Sequence, residues 1–203
     1  MLCIGKYKGE SMLVKEALVL EHVMTADEFE RIVDLSENGD RLLELINGEI
    51  VEKMPTQEHG TIASNIDFAL GLYNRQHKLG RLGVEVRQRL PNDLLNSRMP
   101  DISFSTARHP LVRKGGVPEM PDLAVEIKSP SDSVRKMREK AAYYLENGAR
   151  LVWLVYPQKR FIEVYSPDAD VEILLEGDTL TGGDVLPGFT LLVAEVFADP
   201  LAE

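Results

Sequence analysis

Two acidic residues and a lysine lie at the ends of expected β-strands, where the two carboxylates could hold a cation. Asp101 precedes the expected strand 102–105, and Glu126 and Lys128 lie at the end of the largely apolar strand 123–128. Residues two apart in a strand point to the same side, so Glu126 and Lys128 are expected to share one face. An acid and a base directed together from so apolar a strand need a compensating partner. The residues therefore suggest a Mg²⁺ site, with Mn²⁺ as a substitute, at which Lys128 helps to activate an attacking water.

A simpler interpretation of the same residues stays open at this point. Glu126 and Lys128 are also compatible with a surface ion pair, which contributes little to stability. Asp101 is compatible with a turn residue that starts a strand. The tripeptide acid-x-lysine is a weak signal when it is taken alone.

The surrounding pattern predicts one α/β domain, residues 24–203, preceded by an N-terminal arm, residues 1–23. Asn47-Gly48 is typical of a tight hairpin turn between two strands. Apolar periodicity and capping residues predict helices, and short β-branched runs predict strands. Thr25 and Glu28 predict a capping box at the start of a short helix whose apolar face includes Phe29, Ile32 and Val33. The hairpin is expected at 42–46 and 49–54, longer helices at 59–77 and 133–147, and strands at 82–90, 102–105, 123–128, 151–155, 161–165, 171–175 and 190–193. This order favours a mixed β-sheet flanked by helices, with an additional N-terminal hairpin and C-terminal strands at its edges.

A known family shares this arrangement of residues. Pro100-Asp101, followed about 25 residues later by Glu126-Ile127-Lys128, resembles the signature of the PD-(D/E)XK nuclease superfamily. The wider chain resembles a large bacterial family, abundant in cyanobacteria, whose members are described as restriction endonuclease-like. The likeness covers about residues 24–195 and includes the segments 24–29, 44–49, 59–60, 98–101, 121–126, 129–131, 139–140 with Tyr144, and 152–155.

The resemblance implies a restriction-endonuclease-like core and magnesium-dependent cleavage of DNA. Carried over by position, it makes Asp101 and Glu126 the metal ligands and Lys128 the catalytic lysine. It also suggests Glu44, ahead of the hairpin turn, as a further acidic ligand.

Four more residues are candidates for contact with the substrate. His59 near the start of a helix could contact a phosphate or act only as a structural cap. Lys140 and Tyr144 lie four apart, hence on one helix face. If that helix face is directed toward the metal, Lys140 could bind a phosphate and Tyr144 could position a water. Arg98 lies in the segment 98–101 that resembles the family.

Charge is distributed unevenly along the chain. The net charge is −10, and residues 163–203 hold ten acids and no lysine or arginine. Residues 75–114, in contrast, contain nine lysines and arginines against three acids, which is enough for a phosphate-facing patch or merely a solvated surface.

The remaining sequence features bear on the cellular compartment. One cysteine, Cys3, excludes an internal disulfide. No apolar run is long enough to span a membrane, and no secretory signal is recognisable. A cytoplasmic location is therefore expected.

Together these features favour a magnesium-dependent DNA endonuclease, expected to be a homodimer because cutting both strands commonly uses two copies of one site. Two alternatives remain. One is a DNA-binding or regulatory domain of the same fold without turnover, and the other is a metal-dependent hydrolase of small phosphate esters.

Overall fold

The computed structural model describes residues 23–199 and 201, so the predicted arm lies almost entirely outside the described residues. Within them the chain forms four α-helices, two short 3₁₀ helices and ten strands. The α-helices are α1 (Ala26–Val33), α2 (Gln57–His77), α3 (Val134–Glu146) and α4 (Val193–Val196), and the 3₁₀ helices are Ser36–Asn38 and Pro157–Lys159. The strands are β1 (Leu43–Ile46), β2 (Glu49–Glu52), β3 (Gly80–Val84), β4 (Ile102–Thr106), β5 (Leu123–Ile127), β6 (Leu151–Tyr156), β7 (Phe161–Tyr165), β8 (Glu172–Leu175), β9 (Thr179–Gly182) and β10 (Leu186–Leu192).

Side-chain caps fix where the three longer helices begin. Thr25 and Glu28 form a reciprocal capping box at α1. The Thr56 side chain accepts a hydrogen bond from the His59 amide at the start of α2. The Ser133 side chain accepts one from the Lys136 amide at the start of α3. The first turn of α2 is thereby fixed, and with it the position of His59.

The central sheet has six strands in the order β3-β4-β5-β6-β7-β8. β5 and β6 run parallel because α3 connects them as a crossover, and all other neighbours are antiparallel. β1 and β2 form a separate hairpin, as do β9 and β10. The expected mixed sheet between helices is confirmed.

Each face of the sheet packs against a different helical layer. Val125 and Ile127 of β5 join the core that includes Ile66 of α2 and the apolar residues of β9, β10 and α4. Ala124 faces the other way and packs with Met137 of α3. Strand alternation therefore places Glu126 on the α3 side.

Three expected elements differ from the structure. The strand expected at 82–90 ends at Val84, since Glu85 adopts a left-handed backbone conformation with φ +52°. β9 was not predicted, and β10 pairs with it rather than with the main sheet. β5 ends at Ile127, one residue before Lys128.

None of the described helices is both long enough and apolar enough to cross a membrane.

Candidate active site

Asp101 is held at the entrance of β4 by donors from three different parts of the chain. Its side chain is 2% exposed. Oδ2 accepts the Ile127 amide at 2.6 Å and lies 3.1 Å from Nε2 of His59, and Oδ1 forms an ion pair with the Lys53 ammonium. The antiparallel pairing of Ile102 with Val125 brings Asp101 beside the end of β5.

Glu126 is buried on the α3 side of the sheet, where α3 supplies its partners. Oε2 accepts a 2.8 Å hydrogen bond from Nζ of Lys140, and Oε1 accepts one of 2.7 Å from the Tyr144 hydroxyl. Nζ of Lys53 lies 3.9 Å from Oε2. Because Lys53 also contacts Asp101, one ammonium joins the two carboxylates and the two acids lie close together.

Glu44 brings a third carboxylate to the same place. Glu44 lies in β1 and is only 1% exposed. Its Oε1 accepts a 2.8 Å hydrogen bond from the Met99 amide, and its Oε2 lies 3.4 Å from Nζ of Lys140. Three buried carboxylates are thus matched by two ammonium groups. We name this group, Glu44, Asp101, Glu126, Lys53 and Lys140, the carboxylate–lysine cluster.

The two central acids respond differently to burial. Burial disfavours ionisation of Asp101, but the Lys53 ammonium and the His59 hydrogen bond outweigh it, so the pKa of Asp101 is lowered. Burial also disfavours ionisation of Glu126. Lys140 and Lys53 offset that effect only in part, while Asp101 and Glu44 add to it, so the pKa of Glu126 is raised. The cluster holds one easily ionised acid and one that resists ionisation.

Lys140 and Tyr144, the two α3 partners of Glu126, keep their protons. Burial opposes the charge of Lys140, yet Glu126 and Glu44 outweigh it and raise the pKa of Lys140. Burial together with the same two acids raises the pKa of Tyr144 well above its usual value. Tyr144 therefore acts as a hydrogen-bond donor toward Glu126.

A cavity of about 560 Å³ opens onto the cluster between the β1–β2 hairpin and α3. Glu44, His59, Arg98, Asp101, Glu126 and Lys140 are all among the residues that line it. Arg98 is buried, and its guanidinium lies 4.5 Å from the centre of the Tyr143 ring. Of the residues predicted from sequence, Tyr144 and Lys128 are not part of the cavity wall.

Comparisons with known proteins agree with this architecture. Residues 26–194 match the model of the Uma2 family, described as "Putative restriction endonuclease". The chain belongs to the Uma2 family. The match covers the whole carboxylate–lysine cluster and all four helices apart from the last residues of α4.

A solved structure gives independent support for the fold. The chain is similar to a crystal structure from Anabaena variabilis ATCC 29413, titled as a "putative nuclease belonging to DUF820", with a TM-score of 0.72. The two share 24% sequence identity over 86% of this chain and 97% of the other. No match was found among the curated proteins.

In this Uma2 chain the structure does not bring Lys128 to the carboxylates. Its Nζ donates to the Ser129 carbonyl oxygen at 3.0 Å. The strand alternation that predicted a shared face with Glu126 stops at Ile127, and the chain then enters a turn in which Ser129 bonds to Asp132. The catalytic role of Lys128 stays a prediction without geometric support.

Lys53 is the cluster residue that the sequence did not reveal. It follows β2 in the connection to α2, and its Nζ also donates to the Met99 carbonyl oxygen at 2.9 Å. Asp101 lies 48 positions away along the chain. No local motif marks such a pair. The only available signal is a lysine that directly follows the family-like hairpin and precedes a helix.

The basic segment 75–114 does not surround the cavity. Arg98 is its only lysine or arginine among the cavity-lining residues. Arg87, Arg89 and Arg108 are instead engaged with Glu30, Asp27 and Asp122. The carboxylates lining the cavity outnumber its lysines and arginines, the acids being Glu44, Glu49, Glu52, Glu85, Asp101, Glu126, Asp132, Glu139 and Glu146 and the bases Lys53, Arg98, Lys136 and Lys140.

The donor set fits a hard divalent cation bound through two carboxylates. Among the described residues no three acidic, histidine or cysteine side chains are arranged to hold an ion by themselves. Mg²⁺, however, is commonly bound by one or two carboxylates with waters in the remaining positions. Asp101 and Glu126 already share one cationic group, so the place between them is suited to positive charge.

Proposed function

We propose that this chain is a metal-dependent phosphodiesterase that acts on DNA, an endonuclease of the Uma2 family. The observation that carries the proposal is the convergence of Asp101, just before β4, and Glu126 of β5 on one ammonium in the wall of a cavity. Family membership supplies the class of reaction.

The metal is part of the proposal. Asp101 and Glu126 would hold Mg²⁺, or Mn²⁺ in its place, with Glu44 as a further acid nearby. When bound, the ion would lower the pKa of a bound water and neutralise charge on the phosphate. The metal-ligand roles of these three acids remain proposals on this chain.

The surrounding side chains have defined tasks in this scheme. Lys140 and Tyr144 orient the Glu126 carboxylate through their hydrogen bonds. His59 and the Ile127 amide orient Asp101. Arg98 is buried in the cavity wall, and its Nε has no hydrogen-bond partner among the described residues, so its guanidinium is suited to bind a phosphate oxygen.

The test is plasmid nicking in Mg²⁺ with carboxylate-to-amide variants. Asp101→Asn and Glu126→Gln are expected to lower nicking by about 10³-fold or more, since each removes a charged metal ligand. Glu163→Gln is the matched control, because Glu163 is equally buried but bonds to Arg138 and does not line the cavity. Chelation with EDTA is expected to stop nicking.

The nicking assay, combined with a gel-shift assay, distinguishes an endonuclease from a domain that only binds DNA. If the wild-type chain retains DNA in a gel-shift assay but shows no nicking in Mg²⁺ or Mn²⁺, the enzyme proposal is wrong. If Glu126→Gln loses nicking and keeps DNA binding, the regulatory alternative is wrong.

One observation favours a second candidate, a hydrolase of small phosphate esters. The excess of carboxylates around the cavity repels a long polyanion more than a small substrate. Comparing turnover of plasmid DNA with that of bis(4-nitrophenyl) phosphate separates the two. Turnover confined to the small ester would replace the DNA proposal.

A homodimer is included in the proposal, because two copies of one site related by a two-fold axis would cut both strands. Sedimentation velocity of the full chain tests it. A monomer at all concentrations, with only single-strand nicks, would remove this part.

A further inference from the structure

Lys53 occupies the position in the cavity that a cation would take. Its ammonium forms an ion pair with Asp101, lies 3.9 Å from Glu126 and donates to the Met99 carbonyl oxygen. An ammonium here satisfies the two acids without any bound ion.

The two ammonium groups of the cluster are held differently. Lys140 lies within α3, and its Nζ contacts both Glu126 and Glu44. Lys53 lies outside any helix or strand, between β2 and α2, and is followed by Met54, which is 81% exposed. Lys53 also lines the cavity. Its flexible four-carbon stem can therefore swing toward the cavity opening while Lys140 keeps its place.

The charge of the cluster gives the reason for such a movement. A metal ion binds carboxylates in their ionised form. With all three carboxylates ionised beside two ammonium groups, the cluster carries one excess negative charge. A divalent ion added beside both lysines would leave one excess positive charge, whereas an ion that replaces Lys53 leaves the buried group neutral. Like charges confined in a buried site repel strongly, so replacement is favoured over coexistence.

We propose that Lys53 is an internal counterion of Asp101 and Glu126 which a divalent cation displaces on binding. The inference rests on the metal site of the proposed function. It adds that Lys53 competes with the metal for the two carboxylates and moves its ammonium toward solvent when the metal binds.

The first test uses the unmodified protein. Surface amines are methylated reductively with and without saturating Mg²⁺, and the modification of each lysine is measured by peptide mass spectrometry. Lys53 is expected to be protected without metal and to react about tenfold faster with it, whereas Lys140 stays protected in both states. Equal protection of Lys53 in both states, under conditions where Mg²⁺ binding is measured, would overturn the proposal.

The second test measures Mn²⁺ affinity by isothermal titration calorimetry. Lys53→Gln removes the competing charge, keeps a hydrogen-bond donor, and is expected to bind Mn²⁺ about tenfold more tightly. Lys53→Arg keeps the charge and is expected to stay close to wild type. Lys128→Gln is the matched control, because it removes the same charge two residues from Glu126 but its ammonium bonds to the Ser129 carbonyl.

The outcomes separate this inference from the proposed function. If wild type and Lys53→Gln bind Mn²⁺ equally, or Lys128→Gln shows the larger gain, the counterion role is wrong while the metal site stands. If no variant and no wild-type sample binds Mn²⁺, the metal site and the counterion role both fall. Where Lys53→Gln does not fold, the methylation result on wild type decides.

Discussion

A carboxylate is buried at each end of β5, and the two carboxylates differ in the partners that surround them. Asp122, just before the strand, is fully buried, and its oxygens accept the Thr106 amide and hydroxyl, each at 2.8 Å, and the Arg108 guanidinium at 2.5 Å. His109 and Arg150 lie around the same carboxylate. Glu126, near the other end, shares its two lysines with Asp101 and Glu44.

The difference shows how a structural acid differs from a candidate functional one. The Asp122 carboxylate has donors for both of its oxygens, and it does not line the cavity beside Glu126. At the Glu126 end, acids outnumber cations and the group opens onto a cavity. A buried acid with its own partners stabilises the fold, whereas an excess of buried acid beside a cavity is suited to binding a cation.

The largest effect on stability is expected at the Asp122 end. Asp122→Asn removes the charge that Arg108 and His109 face and is expected to lower the free energy of unfolding by about 2–3 kcal/mol. Glu126→Gln should cost clearly less, because it relieves the charge excess of the cluster. Urea unfolding monitored by circular dichroism provides the comparison. If Glu126→Gln lowers the free energy of unfolding more than Asp122→Asn does, the proposed difference between the two carboxylates is wrong.

The pH dependence of these two variants is expected to have opposite signs. The pKa of Asp122 is lowered, because the Thr106 and Arg108 hydrogen bonds outweigh the opposing effect of burial. Its contribution is therefore present above its unfolded pKa and lost as pH falls through the folded pKa. The pKa of Glu126 is raised, so its contribution is present below its unfolded pKa and lost as pH rises through the folded pKa.

Urea unfolding in EDTA between about pH 3 and pH 8 checks these signs. The deficit of Asp122→Asn relative to wild type should grow as pH rises. Glu126→Gln should become more stable relative to wild type over the same change. If both differences move in the same direction, the two carboxylates do not differ as described.

The smallest effect is expected at Tyr144. Tyr144→Phe removes the 2.7 Å hydrogen bond to Glu126 and is expected to cost about 1 kcal/mol of stability and about tenfold in nicking. Tyr165→Phe is the matched control, since the Tyr165 hydroxyl donates to buried Glu163 outside the cavity. A loss of nicking in the control equal to that in Tyr144→Phe would show that the effect is structural.

Local signals predicted much of the fold. The Asn47-Gly48 turn, the capping box at Thr25 and the run Phe161–Tyr165 all depend on residues that are neighbours in sequence. β9 was missed because Thr179–Gly182 is short and contains only one buried apolar residue. The end of β3 was missed because Glu85 adopts a left-handed backbone conformation. Such a conformation is usually indicated in the sequence by a glycine, and position 85 has none.

The candidate site was predictable only in part, for the same reason. Asp101 and Glu126 could be paired because each adjoins a recognisable strand and the family resemblance fixed their spacing. Lys128 was chosen by strand alternation, which does not extend beyond Ile127. Lys53 approaches from a hairpin connection that no short-range pattern relates to β4.

The sequence by itself determined the order of the elements up to β8, the family, and the two acids on which the proposal rests, because these depend on local patterns and fixed spacing. Only the tertiary structure decided which cations meet those acids. Lys53 and Lys140 reach them from a connection and a helix that the chain brings together over long separations. Long-range packing, rather than spacing along the chain, sets which charges share a buried site.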